Sequence, residues 1–184
     1  PEYGKTERPL LQQLSGMGWH VEKGSVHVAD ETGRDSFQEV ILEDRLRSAL
    51  RRINDNEDGA WMDDARIDQA VTTIERTRGQ GRMQTNREID RLLREGISVD
   101  APEGHWSDTK KAKVIDFENP DDNEFVAISQ FRVDRPGTTR YVVPDVVLFV
   151  NGLPLVVIEC KSPYADKAIE AAIQELVDEP GFRV

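Results

Sequence analysis

Charged side chains embedded in strongly apolar stretches are the first place to look for chemistry, because an unpaired buried charge costs several kcal/mol or shifts its pKa instead. Three such groups stand close together: Asp145 opens the run Val146–Val150, while Glu159 and Lys161 close the run Leu153–Ile158. Glu159 and Lys161 are two apart, so in an extended chain they share a face. Asn151-Gly152 between the two runs is a strong hairpin signal that brings Glu159 back toward Asp145. Two carboxylates converging at a strand end form a hard oxygen site suited to Mg²⁺, and a lysine beside them can orient or deprotonate a water. The bland reading is a salt bridge between Lys161 and one of the acids. Parity discriminates between them. A regular two-residue hairpin pairs Val150 with Leu153 and sets Asp145 against Ile158. A three-residue loop or a β-bulge is needed to set it against Glu159, and one or the other is expected.

The elements that must position these groups are legible from hydrophobic period. Residues up to about 96 read as helices with polar connections. Thr6 looks like an N-cap with Glu7 in an acidic first turn, followed by Leu10, Leu11 and Leu14; Trp19–Val21 could start a short strand. Val40, Ile41, Leu42, Leu46 and Leu50 predict a second helix reaching about Ile53, Ile67 to Ile74 a third, and Ile89 to Leu93 a fourth ending at Gly96. The period then switches to two. Val114–Phe117, Phe125–Phe131, Tyr141–Val150 and Leu153–Cys160 predict strands, the last two with both faces covered. Ala165–Val177 returns to helical spacing. The fold class expected is α/β, a mixed sheet flanked by helices with a helical N-terminal half: one domain over 1–184, helical to about 96, with sheet and site from about 97.

Val143-Pro144-Asp145, thirteen intervening residues, then Glu159-Cys160-Lys161 matches the PD-(D/E)xK nuclease motif. The wider text, Asp116–Pro120, Asn123–Val126, Gln130-Phe131 and Pro144–Pro163, resembles the amino-terminal nuclease domain of the restriction (R) subunit of type I restriction–modification enzymes. The resemblance runs from Thr6-Glu7 to Gln174. It implies a restriction-endonuclease-like fold in which Asp145, Glu159 and the backbone carbonyl of Cys160 hold Mg²⁺ while Lys161 positions the attacking water. It further maps a helix-borne glutamate onto Glu7, for which a first-turn acid favoured by the helix dipole is an equal explanation. A glutamine of a Gln-x-x-x-Tyr pattern maps onto Gln174, but Asp178 stands where that pattern has Tyr. The activity implied is Mg²⁺-dependent cleavage of double-stranded DNA. ATP would act only through a motor outside these residues, and methyltransferase and specificity subunits would be partners. A repair or junction-resolving nuclease of the same fold, or a catalytically silent docking module, are the alternatives.

Other candidates carry less. His20, His27 and His105 show no metal-site spacing. Asp116 could be a third carboxylate, although the turn Glu118–Asp122 explains it as well. Arg45, Arg47, Arg51 and Arg52, then Arg82, Arg87, Arg91 and Arg94, then Lys110, Lys111 and Lys113 form basic clusters that are solvated faces more often than DNA tracks. Cys160, the only cysteine, excludes an internal disulfide and fits a reducing cytoplasm. No apolar run approaches the ~20 residues that span a bilayer, no signal peptide is visible, and no phosphate-binding loop of the Gly-rich Lys-Ser/Thr type occurs. The chain starts at Pro1 rather than Met and reads as a piece of a longer polypeptide.

The 35 acids exceed the 24 Lys and Arg, for a net charge of -11, which by bulk electrostatics disfavours nucleic acid. Ten of those acids lie in Asp55–Asp64 and Asp116–Glu124; without them the chain holds 25 acids against 24 bases. An acidic nuclease domain of this kind would depend on a motor or partner subunits to deliver DNA. The isolated chain should therefore bind a short duplex weakly at physiological salt in a fluorescence-anisotropy titration; tight binding would contradict this account.

Overall fold

The computed structural model describes residues 6–55, 60–77 and 82–161. In chain order the elements are α1 (Arg8–Gly16), β1 (His20–Lys23), α2 (Glu43–Asn54), α3 (Asp64–Thr77), α4 (Arg82–Glu95), β2 (Ile97–Asp100), β3 (Thr109–Ala112), β4 (Phe125–Ser129), β5 (Val133–Asp134), β6 (Tyr141–Val142), β7 (Val146–Val150) and β8 (Leu153–Ile158). The fold class is α/β, as the sequence predicts. The chain forms two compact units, Pro1–Leu42 with Phe125–Arg183, and Glu43–Glu124. The helix expected over Ala165–Val177 and the position of Gln174 lie outside the described residues.

The first unit is built on a mixed sheet of order β1-β4-β7-β8, with β1 parallel to β4 and the other neighbours antiparallel. Alternation sorts its side chains onto two faces. Ala127, Val146 and Leu148 pack with Leu14 of α1, and with Leu10, Leu11, Trp19, Val21 and Ile158. Val126, Ile128, Val147 and Phe149 pack instead with Leu42, Phe131, Val133 and Val142. That second face is covered by irregular chain and the short β5–β6 hairpin. All five residues of β7 are buried, as its unbroken apolar run requires. β8 departs from that expectation. Leu155 and Val156 are 40 % and 46 % exposed, because among the described residues β8 has a strand neighbour on one side only.

A charged residue sits in this apolar layer. Arg34 is 1 % exposed, its guanidinium 3.7 Å above the Phe131 ring. It donates to Thr32 Oγ1 (2.8 Å) and to the carbonyls of Glu39 (2.9 Å) and Arg132 (3.0 Å), tying the chain around residues 32–39 to the end of β4. Burial lowers its pKa to about 10, yet it remains charged at neutral pH.

In the second unit α2 and α4 pack on α3, and α3 packs on the β2–β3 hairpin. Buried Asn54, at the end of α2, accepts from the Lys113 N–H (2.7 Å) and donates to the Lys113 carbonyl (2.9 Å), closing the unit behind β3. Here the sequence reading needs correction. Val114–Phe117 is not a strand, and the strand lies upstream at Thr109–Ala112, paired with Ile97–Asp100. Only Ala112 of β3 is buried, so its apolar period is too faint to read. The expected single strand Tyr141–Val150 is also broken in two, by Val143-Pro144. Similarly, α2 begins at Glu43, and Val40 and Leu42 belong to the first unit's core.

Asp116 belongs to a turn. Its Oδ1 accepts the N–H groups of Glu118 (3.0 Å) and Asn119 (3.1 Å), Asn123 bonds both sides of its backbone, and Lys113 Nζ is 3.5 Å away. Burial pushes its carboxyl up, but the two amides and Lys113 more than offset this, so the pKa ends below the usual value. A carboxyl depressed in the folded state adds stability that is present above its unfolded pKa and fades as pH falls through its folded pKa. Asp116→Ala should cost about 2 kcal/mol at neutral pH by urea unfolding, and that deficit should narrow across an acid pH series. In the first unit, a Cβ on Gly24 would lie 2.7 Å from the Gln130 carbonyl oxygen and 2.9 Å from that of Ser129. Gly24→Ala should therefore destabilise the protein by about 1–3 kcal/mol in the same measurement.

Candidate functional site

The β7–β8 hairpin decides where the acids fall. Val150 pairs with Leu153, so the loop is the two-residue Asn151-Gly152. Both residues have positive φ, 52° and 80°, as the tight primed turn demands. Two pairs later the register slips: Phe149 opposes Pro154 but Leu148 opposes Val156, leaving Leu155 as the extra residue of a β-bulge. The last registered pair is Val146 with Ile158, so the next step sets Asp145 against Glu159. The parity that a shared site requires is therefore met by a bulge within β8, with the turn itself regular.

Backbone polar groups fix the first acid. Asp145 Oδ2 accepts the Cys160 N–H at 2.6 Å, a charge-assisted bond that ties the start of β7 to the chain leaving β8. The Asp145 carbonyl accepts the Gln130 N–H at 2.9 Å, joining the same point to the end of β4. Glu159 and Lys161, both half-buried, flank Cys160, whose side chain is buried.

Glu7 enters from α1. Thr6 and Glu7 are already wound into the helical turn, so Thr6 is not the N-cap expected of it, and Glu7 makes no capping hydrogen bond. Instead Glu7 is 3 % exposed, with Oε2 3.4 Å from Gln130 Nε2, which is also 3.4 Å from Asp145 Oδ1. Glu7 Oε1 is buried with no hydrogen-bond partner. Burial, and then the charge of Asp145, push the Glu7 carboxyl above its usual pKa; Gln130 and Lys23 offset part of this. A desolvated carboxylate held near another, with an oxygen left over, is what a divalent cation would relieve.

The structure thus joins Glu7, Asp145 and the Cys160 backbone through hydrogen bonds and sets Glu159 opposite Asp145. It adds Gln130, which the strand pattern passes over. The signal for it was a polar Ser129-Gln130 ending a buried apolar strand. No three His, Cys, Asp or Glu side chains among the described residues group as a metal cage. Mg²⁺ does not need one, since it commonly keeps several waters and takes one or two carboxylates. The donor set here fits that habit. His20 contacts Glu22 (3.2 Å), and the His105 ring lies against Trp106.

The basic clusters of the second unit are largely engaged with its acids. Arg45 pairs with Glu124 (2.6 Å), Arg47 with Glu43 and Asp68 (2.7 Å each), and Arg51 with Asp64, while Arg52 donates to the Asp122 carbonyl (2.8 Å). On α4, Arg91 meets Glu88 and Glu95, and Arg94 meets Asp90 (2.8 Å). Lys110 lies over the Trp61 ring at 4.3 Å. Among the described residues no helix is long and apolar enough to cross a membrane.

Residues 2–180 match the family model for the type I restriction enzyme R protein N terminus. The chain is 30 % identical over 166 residues to the type I restriction enzyme HindI endonuclease subunit of Haemophilus influenzae, covering 88 % of this chain and 15 % of that protein. It is 26 % identical over 170 residues to the putative type I restriction enzyme MjaIXP endonuclease subunit of Methanocaldococcus jannaschii, covering 92 % and 16 % respectively. The chain spans about one sixth of the length of these relatives. A match over nearly every residue, with the Asp145, Glu159 and Lys161 region inside it, places this chain in the family of the N-terminal region of type I restriction enzyme R proteins.

Proposed function

We propose that this region is a Mg²⁺-dependent endonuclease domain that hydrolyses phosphodiester bonds of double-stranded DNA within a cytoplasmic type I restriction enzyme. The observation that carries the reading is the bulge-set register that brings Asp145 opposite Glu159, with Asp145 locked by the Cys160 amide. In this reading Asp145, Glu159 and the Cys160 carbonyl hold the cation. The Cys160 N–H engages Asp145 Oδ2 and Gln130 Nε2 lies 3.4 Å from Oδ1, so Asp145 would offer a cation the lone pairs that these donors leave. Lys161, two residues beyond Glu159 on the same strand path, orients the attacking water and adds positive charge without competing as a metal ligand. Bound Mg²⁺ would supply a Lewis acid that lowers the pKa of that water and offsets charge on the phosphoryl oxygens.

The names of the relatives, endonuclease subunits of type I restriction enzymes, support the same activity and a multi-subunit setting. An ATP-driven motor elsewhere on the polypeptide would deliver DNA, and methyltransferase and specificity subunits would provide site recognition. The pairing of basic helices with acids in the second unit supports this division of labour, since it leaves fewer uncompensated cations to hold a duplex unaided.

A plasmid-nicking assay of the full-length subunit with its partners, ATP and Mg²⁺ tests the assignment. Asp145→Ala should abolish cleavage, and Lys161→Ala should slow it about a hundredfold or more. Equal activity in the wild type and both variants would sink the catalytic reading.

A further inference from the structure

Gln130 has φ +55°, the left-handed region that a side-chain-bearing residue enters only when its surroundings impose it. The surroundings are visible. Its N–H donates to the Asp145 carbonyl (2.9 Å), the preceding Ser129 carbonyl accepts the Gly24 N–H (2.7 Å), and Gly24 packs too closely to leave room for a Cβ. The strained turn at the end of β4 directs the Gln130 amide between two carboxylates, 3.4 Å from Glu7 Oε2 and 3.4 Å from Asp145 Oδ1. An amide NH₂ carries two hydrogens, one for each acid. Both distances are long for hydrogen bonds, so the amide spans the gap between the carboxylates without closing it.

We propose that Gln130 is a positioning residue of the cation site: its side-chain amide braces Glu7 and Asp145 in the arrangement that a divalent ion takes up. The inference rests on the nuclease reading above. Two carboxylates held together without a donor between them repel and swing apart. A lysine or arginine in this place would offset the repulsion but would compete with the cation. A neutral amide offsets it with one hydrogen for each acid and leaves the unpartnered Glu7 Oε1 and the second lone pair of Asp145 Oδ1 to a cation. Gln130 does not touch the reacting atoms in this scheme; it acts through Asp145 and Glu7.

The test is Fe²⁺-directed backbone cleavage in the full-length protein, where ascorbate and peroxide cut the chain next to a bound ion and Mg²⁺ competes the cuts away. Wild type should be cut near residues 145 and 160, and Asp145→Ala should lose those cuts. Gln130→Met keeps length and bulk but has no N–H to give. With Fe²⁺ held well below its own dissociation constant in both proteins, so that the midpoint reports Mg²⁺ affinity alone, the variant should need about tenfold more Mg²⁺ for half-suppression, the size of effect typical when a partner that orients a metal ligand is removed. An unchanged Mg²⁺ midpoint in Gln130→Met overturns the positioning role, including the case where only the melting temperature falls. Absence of local cuts in the wild type instead overturns the nuclease-site reading, and the role of Gln130 with it.

Discussion

The hydrogen bond from the Cys160 amide to Asp145 Oδ2 is the constraint on which the site is built. It joins the start of β7 to the end of β8, and it can form only because the bulge at Leu155 has advanced β8 by one residue. Without that advance, alternation would aim Ile158 at Asp145 and turn Glu159 and Lys161 to the opposite side. A main-chain donor also suits the task. It has no rotamers to lose and no charge to contribute, so it orients the carboxylate while leaving its negative charge for a cation. The buried layers on the two sides of β4 and β7 then hold the register, since a slip would exchange the side chains fitted to one layer with those fitted to the other.

Much of this was legible in the residues. Asp145, Glu159 and Lys161 stood out as charges in apolar runs, Asn151-Gly152 marked the hairpin, and counting between them required an irregularity. What periodicity missed was carried by polar and single-residue features. β3 buries one side chain of four and so leaves no alternation, whereas Val114 and Phe117 mimicked a strand around what is an Asp116-centred turn. Arg34 reads as a solvent-facing residue by type, and only the carbonyls of Glu39 and Arg132, brought together by the fold, explain its burial. Gln130 is placed by a positive φ and by partners more than a dozen residues away in sequence, neither of which a local pattern reports. The boundaries of the compact units fall between Leu42 and Glu43, inside a continuous run of apolar period, and between Glu124 and Phe125, where the acidic stretch gives way to an apolar strand.

The charge distribution also acquires a structural meaning. Several acids in the two acidic stretches are partners of the arginines on α2: Asp64 meets Arg51, the Asp122 backbone meets Arg52, and Glu124 meets Arg45. Exposed pairs of this kind contribute little each. Their main effect is to quench a basic helix that would otherwise be available to a polyanion. Residues 43–124 hold 20 acids against 14 Lys and Arg, so this unit stays acidic even with its arginines engaged, and it carries more than half of the net charge of -11.

The bulge has a consequence for how this site can change over evolutionary time. The proposed cation site requires Asp145 and Glu159 to be opposed, but it does not fix the thirteen residues between them. Loss of Leu155 would convert the hairpin to a regular ladder with the same acids opposed, and so would gain of one residue in β7 opposite it. A single-residue deletion in β8 and a single-residue insertion in β7 are therefore equivalent events for the acids, since each removes the bulge and keeps them opposed. With a two-residue turn an odd spacing between the two carboxylates requires a bulge and an even one does not, so a homologue with twelve or fourteen intervening residues and no bulge would present the same pairing.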